Sequence, residues 1–172
     1  DLNNFNINFD FLSIDVDSID YYIFKSLDVY RPKLICIEFN PTIPNDVHFV
    51  QKDYSSNQGA SALALIKLAK TKNYFPVCAT DTNLFFIHAN YKKYVIEDNN
   101  FGINDLIDDT EIKNYLFYGY DGSIFTSKEV RLPWHNFVVK DLNVLKWFLR
   151  KHPPQYNFLE KILFKIYRRF KI

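Results

Sequence analysis

Residues 9–16 (Phe-Asp-Phe-Leu-Ser-Ile-Asp-Val) interleave apolar and polar positions and end in acid, which predicts a β-strand. Ile19, Tyr22, Ile23 and Leu27 then recur at helical spacing. Asp17 or Ser18 is placed to cap that helix, and Asp20 lies in its first turn, where a carboxylate complements the helix dipole. Arg31-Pro32 marks its end. Residues 33–39 (Lys-Leu-Ile-Cys-Ile-Glu-Phe) are nearly all apolar, the pattern of a parallel strand covered on both faces. That strand exits through Glu38 and Asn40.

Pro41 and Pro44 open a long irregular loop that runs to Gly59 and carries His48, Asp53, Tyr54, Ser55, Ser56 and Asn57. A loop of this length inside a compact domain is more often functional than not. Residues 60–72 give the clearest helical period, with Ala62, Leu65, Ile66 and Ala69 as the buried stripe. Lys70 and Lys72 sit at its C-terminal end, and Asn73 is suited to a left-handed stop. Residues 75–80 and 84–88 follow as a hairpin around Asp81-Thr82-Asn83. Strand, helix, strand, loop, helix, strand, strand is the order of an α/β layered sheet.

Residues 93–172 read as a separate, mostly helical extension to a sheet segment at 1–92. Residues 115–120 and 125–131 carry no firm period, 141–151 read as a helix, and Pro153-Pro154 break it. Residues 156–172 read as a basic amphipathic helix.

Composition is that of a globular protein, 48% hydrophobic and 24% charged. There is no Met, and the chain opens on Asp1-Leu2-Asn3, which reads as a fragment or a processed product. No apolar run approaches the length of a membrane span. Cys36 and Cys78 lie in apolar runs and read as two buried thiols of a reducing, cytoplasmic compartment. Net charge is +1, but residues 140–172 hold nine Lys/Arg against two Asp/Glu, and residues 1–139 hold 12 against 18. The basic cluster is short and the rest is acidic, which argues against nucleic acid as a partner. The basic tail suits either an anionic membrane surface or the acidic body of the same protein.

Ligands in open α/β sheets bind at the C-terminal ends of the strands. Asp15 and Asp17 fall there. They could orient a substrate hydroxyl, accept its proton, or hold Mg²⁺ through oxygen ligands. The plainer reading of Asp17 is a helix cap. Glu38 and Asn40 leave the neighbouring strand on the same edge, as candidates or as a solvated strand end. Asp20 and Tyr21 could touch substrate, although a helix first turn also accounts for Asp20. His48 could act as a base, although lone loop histidines are usually only solvated. His88, His135 and His152 have no ligand spacing.

The string Phe9-Asp-Phe-Leu-Ser-Ile-Asp15-Val-Asp17-Ser-Ile-Asp20-Tyr21 resembles the fourth-strand motif of class I S-adenosylmethionine-dependent methyltransferases of the FkbM type. Ser18 stands where that family usually has Gly. Arg31-Pro-Lys-Leu-Ile-Cys-Ile-Glu38-Phe-Asn40-Pro41 is similar to the family's fifth strand, Gly59-Ala-Ser-Ala-Leu to a helix start, and Asn83-Leu-Phe-Phe-Ile to the final strand. The resemblance covers about half of the chain. It implies a Rossmann-like half-sheet of parallel strands, with an antiparallel closing strand between its neighbours. Asp15, Asp17, Asp20, Tyr21, Glu38 and Asn40 match the family's motif positions; together with the loop's His48 they give Asp15, Asp17 and Glu38 as catalytic candidates and Asp20, Tyr21, Asn40 and His48 as substrate candidates. The resemblance also implies S-adenosylmethionine as cofactor and a sugar, glycolipid or small-molecule hydroxyl as acceptor. The glycine loop that holds the cofactor in that family has no counterpart among these residues. Two other readings stand beside it: an Asp-x-Asp glycosyltransferase, and a non-catalytic α/β module.

Overall fold

The computed structural model describes residues 6–52, 57–95 and 101–171. The chain divides into two compact units, Asp1–Lys113 and Asn114–Ile172.

The first unit holds β1 (Phe11–Ile14), α1 (Asp20–Ser26), β2 (Leu34–Glu38), α2 (Ala62–Thr71), β3 (Tyr74–Ala79), β4 (Asn83–His88) and a one-turn helix, α3 (Ile103–Leu106). The sheet order is β1-β2-β4-β3. β1 and β2 run parallel, joined across α1, and β4 runs antiparallel to both β2 and β3. The mixed sheet with its closing hairpin therefore agrees with the sequence pattern. Asn73 ends α2 in the left-handed region at φ 62°, which an Asn side chain tolerates.

Burial explains why these segments hold. Ile35 and Ile37 of β2, Leu65 of α2, and Leu84 and Phe86 of β4 are completely buried in one core. Phe24 of α1 stacks on Phe86 at 6.2 Å between ring centroids and meets Tyr74 edge-on at 6.0 Å. α2 buries Ala62, Ala64, Leu65, Leu68 and Ala69, so the buried stripe is rotated from the expected one and Ile66 is only half-buried. Ser61 caps it by accepting from the Ala64 N–H.

Several expectations are corrected. α1 has Ile19 at its cap position with no side-chain cap, so neither Asp17 nor Ser18 caps it. It also ends at Ser26, well before Pro32. Lys72 Nζ donates to the Leu27 carbonyl at 3.0 Å and satisfies the helix end from α2 instead. Cys36 is buried, but Cys78 is exposed on the edge strand β3, beyond a register shift at Pro76/Cys78. Residues 101–113, read as the start of the extension, belong with the sheet unit. The Asn45 N–H donates to the buried Asp109 carboxylate at 2.8 Å, and Asn45 Nδ2 donates to the Ile107 carbonyl at 2.9 Å.

The second unit is not mostly helical. It carries two antiparallel hairpins, β5 (Leu116–Tyr118) with β6 (Ile124–Thr126) and β7 (Val130–Leu132) with β8 (Phe137–Val139), followed by α4 (Phe158–Lys171). Gly122 closes the first turn at φ 80° and Asn136 the second at φ 47°. Asp121-Gly122 is itself a hairpin signal, which a search for periodicity passes over. The helix expected at 141–151 is reduced to a single 3₁₀ turn, Trp147–Leu149. Asn143 explains the loss: its N–H donates to Asp141 Oδ1 at 2.8 Å, and its own Oδ1 accepts from Ile124 N–H at 2.7 Å. Short polar side chains that bond locally compete with helix. Among the described residues no helix is long and apolar enough to cross a membrane.

Candidate functional site

The parallel register pairs Ile14 with Ile37, so the next residues along, Asp15 and Glu38, leave the sheet side by side. Both strands point their C-terminal ends at this edge. After β1 the chain turns sharply, with Asp17 in the left-handed region at φ 60°. The result is a cluster in which one carboxylate oxygen from each of Asp15, Asp17 and Glu38 lies within 4.8 Å of the other two. Asp15 and Asp17 are exposed and Glu38 is half-buried.

Asp20 stands behind this cluster and is only 2% exposed. Its Oδ1 accepts from Val16 N–H at 2.9 Å and its Oδ2 from Ser18 N–H at 3.1 Å. It therefore pins the turn that carries Asp15 and Asp17. Asp20, read from the sequence as either a substrate contact or a first-turn acid, has both carboxylate oxygens engaged by the backbone of this turn.

Electrostatics single out Glu38. Burial first, then the charges of Asp15, Asp20 and Asp17, push its carboxyl above the ordinary carboxylate value. Glu38 is the member best suited to take a proton from a bound hydroxyl. Three mutually repelling carboxylates also suit a hard cation, whose oxygen ligands sit at about 2.0–2.6 Å.

The other expected residues are not in this cluster. Asn40 is consumed by its own loop: its Nδ2 donates to the Gln58 carbonyl at 2.9 Å, and its Oδ1 accepts from Thr42 N–H at 3.0 Å and from Thr42 Oγ1 at 2.6 Å. Tyr21 is half-buried against the core and packs edge-on with Tyr22 at 5.6 Å. His48 is exposed in the loop. Asp53, Tyr54, Ser55 and Ser56 lie outside the described residues.

Two residues that the pattern did not single out shape this edge. Gln51 is 2% exposed, and its Oε1 accepts from Gln58 N–H at 3.0 Å and Gly59 N–H at 2.8 Å, closing the described ends of the loop on each other. Its carbonyl also accepts from the Tyr22 hydroxyl at 2.5 Å. No spacing marks such a clamp, because both partners are backbone groups. Asn83 opens β4 directly opposite Glu38 in the register and adds an amide to the same lip of the sheet.

No family model matches the chain, and neither a curated protein nor a solved structure matches it.

Proposed function

We propose that this chain forms the acceptor side of a methyltransferase-type site that acts on a hydroxyl of a saccharide, glycolipid or small molecule. The observation that carries the reading is the Asp15, Asp17 and Glu38 cluster at the C-terminal ends of two adjacent parallel strands. The order β1-β2-β4-β3, with an antiparallel strand between parallel neighbours, supports it as the half-sheet that the resemblance implies.

On this reading Glu38, with its raised proton affinity, accepts the acceptor hydroxyl's proton as the oxygen becomes a nucleophile. Asp15 and Asp17 orient the hydroxyl or hold it through a divalent cation such as Mg²⁺. Orientation supplies the larger share of the rate gain. S-adenosylmethionine would supply the methyl group. The residues described here do not fit that cofactor: the four glycines are Gly59, Gly102, Gly119 and Gly122, and no Gly-x-Gly turn leads from a strand into a helix. The chemistry assigned to this chain is accordingly confined to the acceptor.

A second reading draws on the same cluster, since three carboxylates at cation-binding spacing also suit the metal-held diphosphate of a nucleotide sugar. The two separate by calorimetry on the native protein that carries this chain. Binding of S-adenosylmethionine without metal favours methyl transfer. Binding of a nucleotide sugar only with Mn²⁺ favours glycosyl transfer and overturns the first reading.

A further inference from the structure

We infer that α4 is a membrane-surface helix that seats this protein on an anionic lipid bilayer. At about 100° per residue, Phe158, Leu159, Ile162, Leu163, Ile166 and Phe170 fall on one contiguous arc of α4. All six are exposed, with Phe158 at 77% and Phe170 at 86%. Lys161, Lys165 and Arg168 fill the next arc, and Arg169 falls at the edge of the apolar one, between Phe158 and Ile162; all four are exposed. The remaining side of the helix is the one tied to its own unit. Tyr167 Oη donates to the Val144 carbonyl at 2.5 Å, Phe164 packs on Tyr156 at 5.6 Å, and Glu160 pairs with Lys151 at 2.5 Å. The helix is thus anchored along one side and presents apolar and cationic faces, next to each other, on the other.

Charge and chemistry select the occupant. Glu160 is the only acid on α4, and Lys151 already engages it, so no anion interrupts the outward face. Apolar and cationic side chains meet in a surface depression lined by Ile162, Lys165, Ile166, Arg168 and Arg169. That depression offers alkyl contact beside cations, the pairing that an acyl chain and its anionic headgroup require. Residues 114–172 contain 11 Lys/Arg and four Asp/Glu. The same unit exposes Trp147 at 77%, Trp134 at 71% and Tyr120 at 92%, rings that favour the headgroup layer. A second copy fits less well, because a two-fold pairing through this face would bring like cationic rows together. The apolar side chains of α4 cover only part of its circumference and adjoin a cationic arc, the pattern of a helix lying in the plane of the interface.

Sedimentation of the full chain with vesicles tests this, using phosphatidylcholine alone and phosphatidylcholine mixed with phosphatidylserine. The wild-type chain is expected to bind the mixed vesicles, at least tenfold better than the neutral ones, and to release as salt rises. The Lys165→Gln/Arg169→Gln pair, which removes two surface charges without touching packed residues, is expected to weaken binding about 30-fold, at roughly fivefold per cation. Ile162→Ser/Ile166→Ser is expected to abolish binding while the circular dichroism spectrum stays that of the wild type. Failure of the wild type to sediment with mixed vesicles overturns the inference, whether the chain then proves monomeric or self-associated. So does binding that either pair of substitutions leaves unchanged.

Discussion

Replacing Asp20 probes the link between the buried frame and the exposed cluster. Asp20→Ala removes the acceptor for two backbone N–H groups, Val16 at 2.9 Å and Ser18 at 3.1 Å. A hydrogen bond to a charged group contributes about 1.5–3 kcal/mol. The turn lies close to water, with Val16 46% exposed, so the released N–H groups are partly rehydrated. Loss of the Asp20 charge also relieves Glu38, whose carboxyl it helps to push up. The net loss expected is about 2 kcal/mol of folding stability. Asp20→Asn keeps the shape and one acceptor oxygen and should lose about half as much. Urea unfolding followed by circular dichroism measures both. If Asp20 holds the turn, Mg²⁺ affinity at the cluster falls along with stability in Asp20→Ala, although the substitution itself removes no proposed ligand. Stabilities within about 0.5 kcal/mol of wild type for both variants would refute the reasoning, since that is the scatter of neutral surface substitutions.

Other substitutions test neighbouring steps. Phe24→Ala empties the centre of the core, where Phe24 is completely buried, and should cost about 3–5 kcal/mol in the same urea assay. Glu38→Gln should stabilise the metal-free protein at neutral pH and weaken Mg²⁺ binding. Glu38's raised proton affinity favours folding at low pH and is lost as pH rises through its folded pKa, so the gap between variant and wild type should widen with pH. Tyr74 donates to the Pro32 carbonyl at 2.7 Å, and burial pushes its hydroxyl from 10.0 up to about 12. The folded state keeps this proton longer than the unfolded chain, so stability should fall as pH rises from about 10 to 12. Tyr74→Phe should flatten that fall, read by thermal melts across the range. Gly59→Ala should cost about 1 kcal/mol, because Gly59 sits at φ +62° with open space around it, so the cost is backbone strain rather than a clash.

The sheet was legible because its strands are short apolar runs separated by helical periods, and because Asp81-Thr82 is a compact reversal between two of them. Asp15 and Glu38 were legible because each stands at the C-terminal end of an apolar run, the first directly after β1 and the second as the last residue of β2, in a parallel pair. Asp20 was visible as an acid in a first turn, but its role was not. Period and dipole arguments say nothing about which backbone groups a buried carboxylate faces. Asn40 misled for a related reason: a strand exit marks where a side chain emerges, not whether Thr42 and Gln58 have already taken its amide. The hairpins of the second unit hid because three-residue strands are too short to show a period of two. There the informative residues were Gly122 and Asn136, which turn the chain through positive φ.

Transfer of a labelled methyl group from S-adenosylmethionine to a saccharide acceptor pool, by the native protein that carries this chain, tests the central claim most directly. The account predicts label in a base-stable ether linkage, loss of most of the rate in Glu38→Gln and Asp15→Asn, and no change in Tyr74→Phe. A folded native protein that neither binds S-adenosylmethionine nor transfers label, or whose transfer is indifferent to Glu38→Gln and Asp15→Asn, would contradict it.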